Sequence, residues 1–505
     1  MNTLVSTPFG KIEGFESQGV YKFYGVPFAK PPIGELRFRA PQMVEPWEGV
    51  LQAKKQAPNP MQRPDDGSGM TFDDFTEDCL YANIFVPKDV KPGTPIIIWF
   101  PGSGFVGGGV SGTADNGEPA YNCARLAREG HCVVFAVNHR LNIFGYMNFH
   151  RYSDRFDDNL GQLDLLMAMK WVQKIGESFC GDINNVTIAG LSAGACAING
   201  MMMTPSAYPY FHKAIVQSSC VESFFTVEEE DEIVKVFLEL LGIDETQVDK
   251  ILDMDYDTLY KAFWTHTGRI LAKYHPTCTC CPVIDGELIV GFPTTYDYEG
   301  YDKPFIMGNC KQEGWQQKID YNWGNTPLDN EKWINRAVYH LPEPVQTRAW
   351  RHYTKLGMDG SPQSMTDIMY TIPKLRVAEK AGKKAPAFIY RNDYCTKGMD
   401  AAGYHACHGS ETNYLMDSQN ARTGATYAQI IEGCEEEMIE VGNRIARQWG
   451  AFAATGNPSL PGEEWKPYDE ENRYTMVYGI EDKLEKDPEK DVRLLYEGVE
   501  KLSRF

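Results

Sequence analysis

Long hydrophobic runs are missing from this chain of 505 residues. No stretch of about 18 consecutive apolar residues occurs, so no membrane-crossing helix is expected. The first residues, Met1 to Gly14, have neither a basic start nor an apolar core and do not read as a secretory signal. A signal removed beforehand would leave the same sequence. Basic residues are scarce: 49 Lys and Arg stand against 69 Asp and Glu, a net charge of −20. That balance disfavours nucleic acid and anionic membrane surfaces, both of which select for Lys/Arg clusters. No internal repeat and no Ser/Pro/Gly linker divides the chain. With 43% hydrophobic and 23% charged residues the composition is that of a globular protein, and it excludes extensive disorder. The 13 cysteines are odd in number and spread out, which excludes a small disulfide scaffold and points to reduced thiols in a cytoplasmic protein. The densest group, His275-x-x-Cys278-x-Cys280-Cys281, has no second C-x2-C pair, so packed thiols are expected there rather than zinc.

What is present is an alternation of strands and helices. Residues 3–30 alternate apolar and polar positions between Gly and Pro and predict a small antiparallel meander. Residues 62–76 are polar and Gly-rich and predict a loop. Unbroken apolar runs at Pro95 to Phe100 and Cys132 to Asn138 predict buried parallel strands. Further strands are predicted at Asn83 to Pro87, Asn185 to Gly190, His212 to Ser218, Pro304 to Gly308 and Ala387 to Arg391. Helices are predicted around Ala120 to Arg128 and over Asn159 to Ile175, the latter with Leu163, Leu166, Met167 and Trp171 on its buried face. The stretch from Glu228 to Thr265 is helical and acidic, and 316–382 is helical and aromatic. Strands recur on both sides of these stretches. The expected architecture is therefore one α/β domain over 1–505, a mostly parallel sheet covered by helices on both faces. Cap insertions are expected near 62–76, 221–300 and 316–382.

Gly190-Leu191-Ser192-Ala193-Gly194 follows a strand and opens an Ala-rich helix. This is G-x-S-x-G in the setting that makes it a nucleophile elbow, with Ser192 held on a sharp turn above the sheet edge. A structural tight turn is the alternative. The strand Pro95 to Phe100 ends in Pro101-Gly102-Ser103-Gly104-Phe105, with Gly107 to Gly109 beyond. Backbone N–H groups of Ser103, Gly104 and Ala193 are the candidate oxyanion donors. The alternatives are a flexible loop or a phosphate loop, and the latter lacks its Lys-Ser/Thr.

A serine nucleophile needs an imidazole base, which lies C-terminal to it in this fold. His212, His266, His275, His340, His352, His405 and His408 qualify. His408, before Gly409 and after a strand, is preferred over its neighbour His405. The acid that orients it should follow a late strand, which favours Glu313 over Asp285, Asp393 and Glu411.

Together these motifs resemble the type-B carboxylesterase family, whose members include para-nitrobenzyl-type bacterial esterases, fungal lipases and cholinesterases. Tyr24-Gly-Val-Pro-Phe-Ala, Pro31-Pro-Ile-Gly-Glu-Leu-Arg-Phe and Glu77-Asp-Cys-Leu-Tyr-Ala-Asn83 are similar to its N-terminal segments. So are Val137-Asn-His-Arg-Leu141, Phe144-Gly145, Asn159-Leu-Gly-Gln-Leu-Asp164 and Phe179-Cys-Gly-Asp182 to those before its elbow, and Thr455-Gly-Asn-Pro458 and Trp465-Lys-Pro-Tyr468 to its C-terminal part. The resemblance implies an α/β-hydrolase fold and a serine carboxylic-ester hydrolase, its triad falling on Ser192, Glu313 and His408. It implies no metal and no cofactor. The expected partner is a small-molecule ester, and a monomer or weak homo-oligomer without stable membrane insertion is expected. Phe105, Leu191, Phe224, Phe225 and Trp315 are the candidate pocket residues, with core packing as the alternative. Three departures stand out. Pro101 and Ser103 replace usual residues of the H/Y-G-G-G-F loop. Leu191 stands where many members carry Glu. Cys79 has no nearby cysteine in Ala57 to Gln62 for the family's first disulfide. Lipase or amide hydrolase activity, and a non-catalytic adhesion-type protein, are the rival functions.

Overall fold

The computed structural model of the chain describes residues 1–62, 75–112, 118–274, 278–320, 322–418 and 426–499. In chain order its strands begin with β1 (Leu4–Thr7), β2 (Gly10–Glu13), β3 (Phe15–Ser17), β4 (Val20–Pro27), β5 (Val50–Gln52), β6 (Asn59–Pro60), β7 (Phe75–Thr76), β8 (Tyr81–Pro87) and β9 (Thr94–Phe100). They continue with β10 (Val133–Val137), β11 (Gly181–Leu191), β12 (Lys213–Gln217), β13 (Phe225–Thr226), β14 (Val283–Ile284), β15 (Phe305–Cys310), β16 (Ala387–Asn392), β17 (Tyr474–Tyr478) and β18 (Lys483–Lys486).

The main sheet has eleven strands in the order β18-β17-β16-β15-β12-β11-β9-β10-β8-β4-β3. Strands from β10 across to β17 are parallel, and β18, β8, β4 and β3 are antiparallel to their neighbours. Apolar runs build this centre because both of its faces are covered. In β9, Ile96, Ile98 and Phe100 enter one core while Ile97 and Trp99 enter the other. Helices Leu160–Ile175 and Ala193–Met202 cover the first face; Ala124–Gly130 and Glu435–Thr455 cover the second. The expected α/β-hydrolase architecture is borne out.

Three local expectations need correction. The N-terminal strands do not form one meander: β1 and β2 build a small sheet with β5, while β3 and β4 join the main sheet. Alternation marks a strand but not its partner. Helix Leu160–Ile175 is buried nearly all round, with Leu165, Ala168, Met169 and Val172 fully enclosed and Leu163 and Met167 only half-buried. The antiparallel pair β17–β18 closes the sheet where no strand was expected. Most of the loop at 62–76 lies outside the described residues, as does His275.

All 13 cysteines are free thiols; Cys79 is buried without a disulfide, and Cys278, Cys280 and Cys281 lie in the first core.

Candidate active site

The sheet brings the candidate residues together at the carboxyl ends of its parallel strands. Such ends, where the strand order reverses, are where open α/β sheets place ligands. Here β9 lies between β10 and β11.

Ser192 follows β11 and caps helix Ala193–Met202 with φ 57° and ψ −118°. A non-glycine residue held there stores about 1–3 kcal/mol of strain. Its N–H donates to the Gln217 carbonyl at 2.9 Å, and its own carbonyl accepts from the Cys196 N–H at 2.8 Å. The flanking glycines are required by space. A Cβ on Gly194 would stand 2.2 Å from the Phe100 carbonyl oxygen, and one on Gly190 would stand 2.8 Å from it. The elbow is therefore pressed onto the end of β9.

The loop after β9 lies against that elbow. A Cβ on Gly102 would stand 3.1 Å from Ser192 Cβ, and the Gly102 N–H donates to the Tyr121 hydroxyl at 3.0 Å. Ser103, Gly104 and Phe105 follow with φ of 94°, 63° and 62°. Three consecutive residues at positive φ turn the chain sharply just after β9, beside the elbow. Ser103 occupies a conformation that favours glycine, and its side chain is accommodated by Gly108, where a Cβ would meet both Ser103 Cβ and Oγ at 2.9 Å. Ala193 is the first residue of the helix, whose positive end faces this region.

β15 and β16 are parallel neighbours, with Cys310 opposite Asn392. Their following loops start side by side and bring Glu313 to His408. Glu313 Oε2 accepts from His408 Nδ1 at 2.6 Å, while Oε1 accepts from Ser218 Oγ at 2.7 Å and from the Cys310 N–H at 2.6 Å. Glu313 is fully buried and the His408 side chain is 11% exposed. The fixed Nδ1 leaves Nε2 as the other face of the imidazole.

His405 is directed elsewhere: its Nδ1 meets Asp400 at 2.6 Å and its ring packs on Trp315. Asp285 caps the turn at Glu287 to Ile289, and Asp393 pairs bidentately with Arg391. Glu411 is buried close to the pair. Burial, and then the charge of Glu313, push its carboxyl up to about 7.

Phe105, Phe224 and Phe225 lie in the first core and Leu191 in the second, while Trp315 joins Met399, Tyr404, Cys407 and Ile430 in a small separate cluster. These contacts fit the core-packing alternative.

Two residues near His408 went unnoticed in the sequence. Ser218 reaches Glu313 across 95 residues, and Tyr370 tilts over the His408 ring at 5.2 Å. Tyr370 sits in a π-helical turn, Thr366–Thr371, whose Thr366 hydroxyl accepts from the Gly314 N–H at 3.0 Å. Such turns recur at functional sites.

A serine on a strained elbow, an imidazole held by a buried carboxylate, and a glycine-rich loop packed on that elbow are parts from which an acyl-transfer site is built. Comparison with known proteins agrees. The carboxylesterase family model matches residues 1–493. The para-nitrobenzyl esterase of Bacillus subtilis (strain 168) is 30% identical over 97% of this chain and 97% of its own. The liver carboxylesterase of Sus scrofa is 28% identical, covering 92% of this chain and 86% of its own. Among solved structures, a thermophilic PNB esterase superposes with a TM-score of 0.85 at 29% identity, covering 98% of this chain and all of the other. A Geobacillus stearothermophilus carboxylesterase gives 0.81 at 27% identity, with 98% and 100% covered. With the family model matching residues 1–493 of 505, this chain belongs to the carboxylesterase family.

Proposed function

We propose that this carboxylic-ester hydrolase works through Ser192 as nucleophile, His408 as general base and Glu313 as the acid that orients it. Ser192 Oγ attacks the ester carbonyl as His408 Nε2 takes its proton. Glu313 holds the Nδ1–H tautomer and stabilises the imidazolium. The N–H groups of Ser103, Gly104 and Ala193 receive the oxyanion, each worth about 3–4 kcal/mol in the transition state. His408 then gives its proton to the leaving alcohol, and water repeats the sequence on the acyl-enzyme.

The observation that carries this reading is the strained Ser192 elbow with Gly102 of the donor loop packed on its Cβ. Ser192→Ala tests it: turnover of p-nitrophenyl acetate is lost while the thermal transition stays in place. Retained turnover contradicts it.

We read the whole chain as one α/β-hydrolase domain in which segments 221–300 and 316–382 form a cap. They connect β12 to β15 and β15 to β16, and the second supplies Tyr370 beside His408. A series of p-nitrophenyl esters of rising chain length, with an anilide control, separates a short-chain esterase from a lipase or amidase. The thirteen free thiols support a reducing, cytoplasmic setting. No helix of the described residues is long and apolar enough to cross a membrane.

A further inference from the structure

We infer that Gln62 is a positioning residue for the oxyanion loop. The inference rests on the assignment of Ser103 and Gly104 as oxyanion donors. The Gly108 N–H donates to Gln62 Oε1 at 2.7 Å, and Gln62 Nε2 donates to the Gly108 carbonyl at 2.6 Å. One side-chain amide thus engages both backbone groups of one residue, as a strand partner would. The second Nε2 hydrogen goes to the Pro60 carbonyl at 2.9 Å, so both amide hydrogens are engaged. Gln62 is itself buried, and its carbonyl accepts from the Tyr256 hydroxyl at 2.9 Å.

Gly108 passes this restraint to the donors. It has φ 87°, and a Cβ there would stand 2.6 Å from the Gly102 carbonyl oxygen and 2.9 Å from Ser103 Cβ. The Gly102–Ser103 segment therefore rests on Gly108, and Val106 and Gly107 close the turn by donating to the Ser103 carbonyl at 3.3 Å each. The next positions are held in the same manner: Val110 N–H by Asn138 Oδ1 at 2.8 Å and Ser111 N–H by Asn59 Oδ1 at 3.2 Å. Buried amides replace a missing β-partner for the loop. Gln62 is the one that grips the residue beneath the donors. A displacement of about 1 Å in such a site costs on the order of a hundredfold in rate.

Gln62→Glu keeps the shape and removes the donor. An ionised carboxylate still accepts from the Gly108 N–H but repels the Gly108 and Pro60 carbonyls. A protonated carboxyl donates to the Gly108 carbonyl again. Among the described residues, the small cavity beside Gln62 is lined by uncharged side chains such as Val106, Ile143, Tyr256, Tyr260 and Phe263. Among the described residues the titratable groups lining it are Tyr256 and Tyr260, and burial pushes the Tyr256 hydroxyl's pKa well above its usual range. Burial among such side chains disfavours the charged form, so the introduced carboxyl's pKa is raised.

The expected result with p-nitrophenyl acetate at pH 8 is a kcat ten- to a hundredfold lower with KM within twofold. Affinity for a trifluoromethyl ketone, which forms the tetrahedral oxyanion, falls by the same factor. The variant-to-wild-type kcat ratio climbs as pH falls. Gln62→Met, of similar length without hydrogen-bonding groups, loses kcat equally at every pH, and it replaces the charged variant should that one fail to fold. A rise in KM with kcat intact, or a wild-type kcat in Gln62→Met, overturns the inference. So does a pH-independent ratio in a folded Gln62→Glu. Fluorophosphonate labelling of the wild type at Ser192 keeps the two failures apart: labelling with unaltered variant kinetics sinks only the role of Gln62, whereas no labelling sinks the underlying assignment.

Discussion

The Glu313 carboxylate meets His408 Nδ1 at 2.6 Å across 95 residues of sequence. Adjacent parallel strands β15 and β16 make that approach possible, and Ser218 from the end of β12 fastens the other carboxylate oxygen. Three neighbouring strand ends thus build one oriented imidazole.

Glu313→Gln isolates the charge from the geometry. The amide retains the size of the carboxylate but does not stabilise an imidazolium. A drop in kcat/KM of about 10³–10⁴-fold is expected, with an unchanged far-ultraviolet circular dichroism spectrum. Ser218→Ala removes one of three donors to the carboxylate and should cost less, about tenfold. Steady-state kinetics on both variants check the order.

Ser103 and Gly108 form a second pair with opposite predicted responses. Ser103→Gly relieves a residue at φ 94°, worth about 1–3 kcal/mol, against about 0.5–1 kcal/mol of added chain entropy. Stability should rise by about 1 kcal/mol with activity retained, since the N–H remains. Gly108→Ala forces a Cβ to 2.6 Å from the Gly102 carbonyl oxygen and should lower both stability and kcat. Chemical denaturation beside turnover assays reads both effects.

Glu230 makes stability depend on pH. It is 3% exposed, its Oε1 accepts from the Asn148 N–H at 3.0 Å, and burial pushes its carboxyl from 4.5 up to about 8. Below pH 4.5 it is protonated in both folded and unfolded chains. Between pH 4.5 and 8 the unfolded chain releases the proton and the folded one does not, so stability falls as pH rises. The slope is about 1.4 kcal/mol per pH unit at most. Glu230→Gln removes this dependence. Denaturation midpoints at pH 5, 6.5 and 8 should show the variant gaining on the parent as pH increases.

The elbow and the sheet were legible because their signals are local. Ile96 to Phe100 has no polar residue, and that alone says both faces are covered. Gly190 and Gly194 bracket Ser192 because no Cβ fits against Phe100 and Pro101 there. His408 was harder to separate from His405, since both flank the same loop; the partners, Glu313 for one and Asp400 for the other, lie outside any local pattern. Gln62, Ser218 and Tyr370 left no trace for the same reason. Each acts across 38 to 95 residues, and Gln, Ser and Tyr in loops or helices are ordinary residues until the fold supplies a neighbour. The split of the N-terminal strands between two sheets was likewise decided by partners, β5 and β8, that alternation does not name.

The central claim is that the acyl group passes through Ser192. Mass spectrometry of the protein after reaction with a fluorophosphonate, followed by peptide mapping, tests it most directly. One adduct per chain on Ser192, appearing in step with the loss of ester hydrolysis, is the predicted result. An adduct on another residue, or full esterase activity in a chain completely labelled at Ser192, contradicts the account.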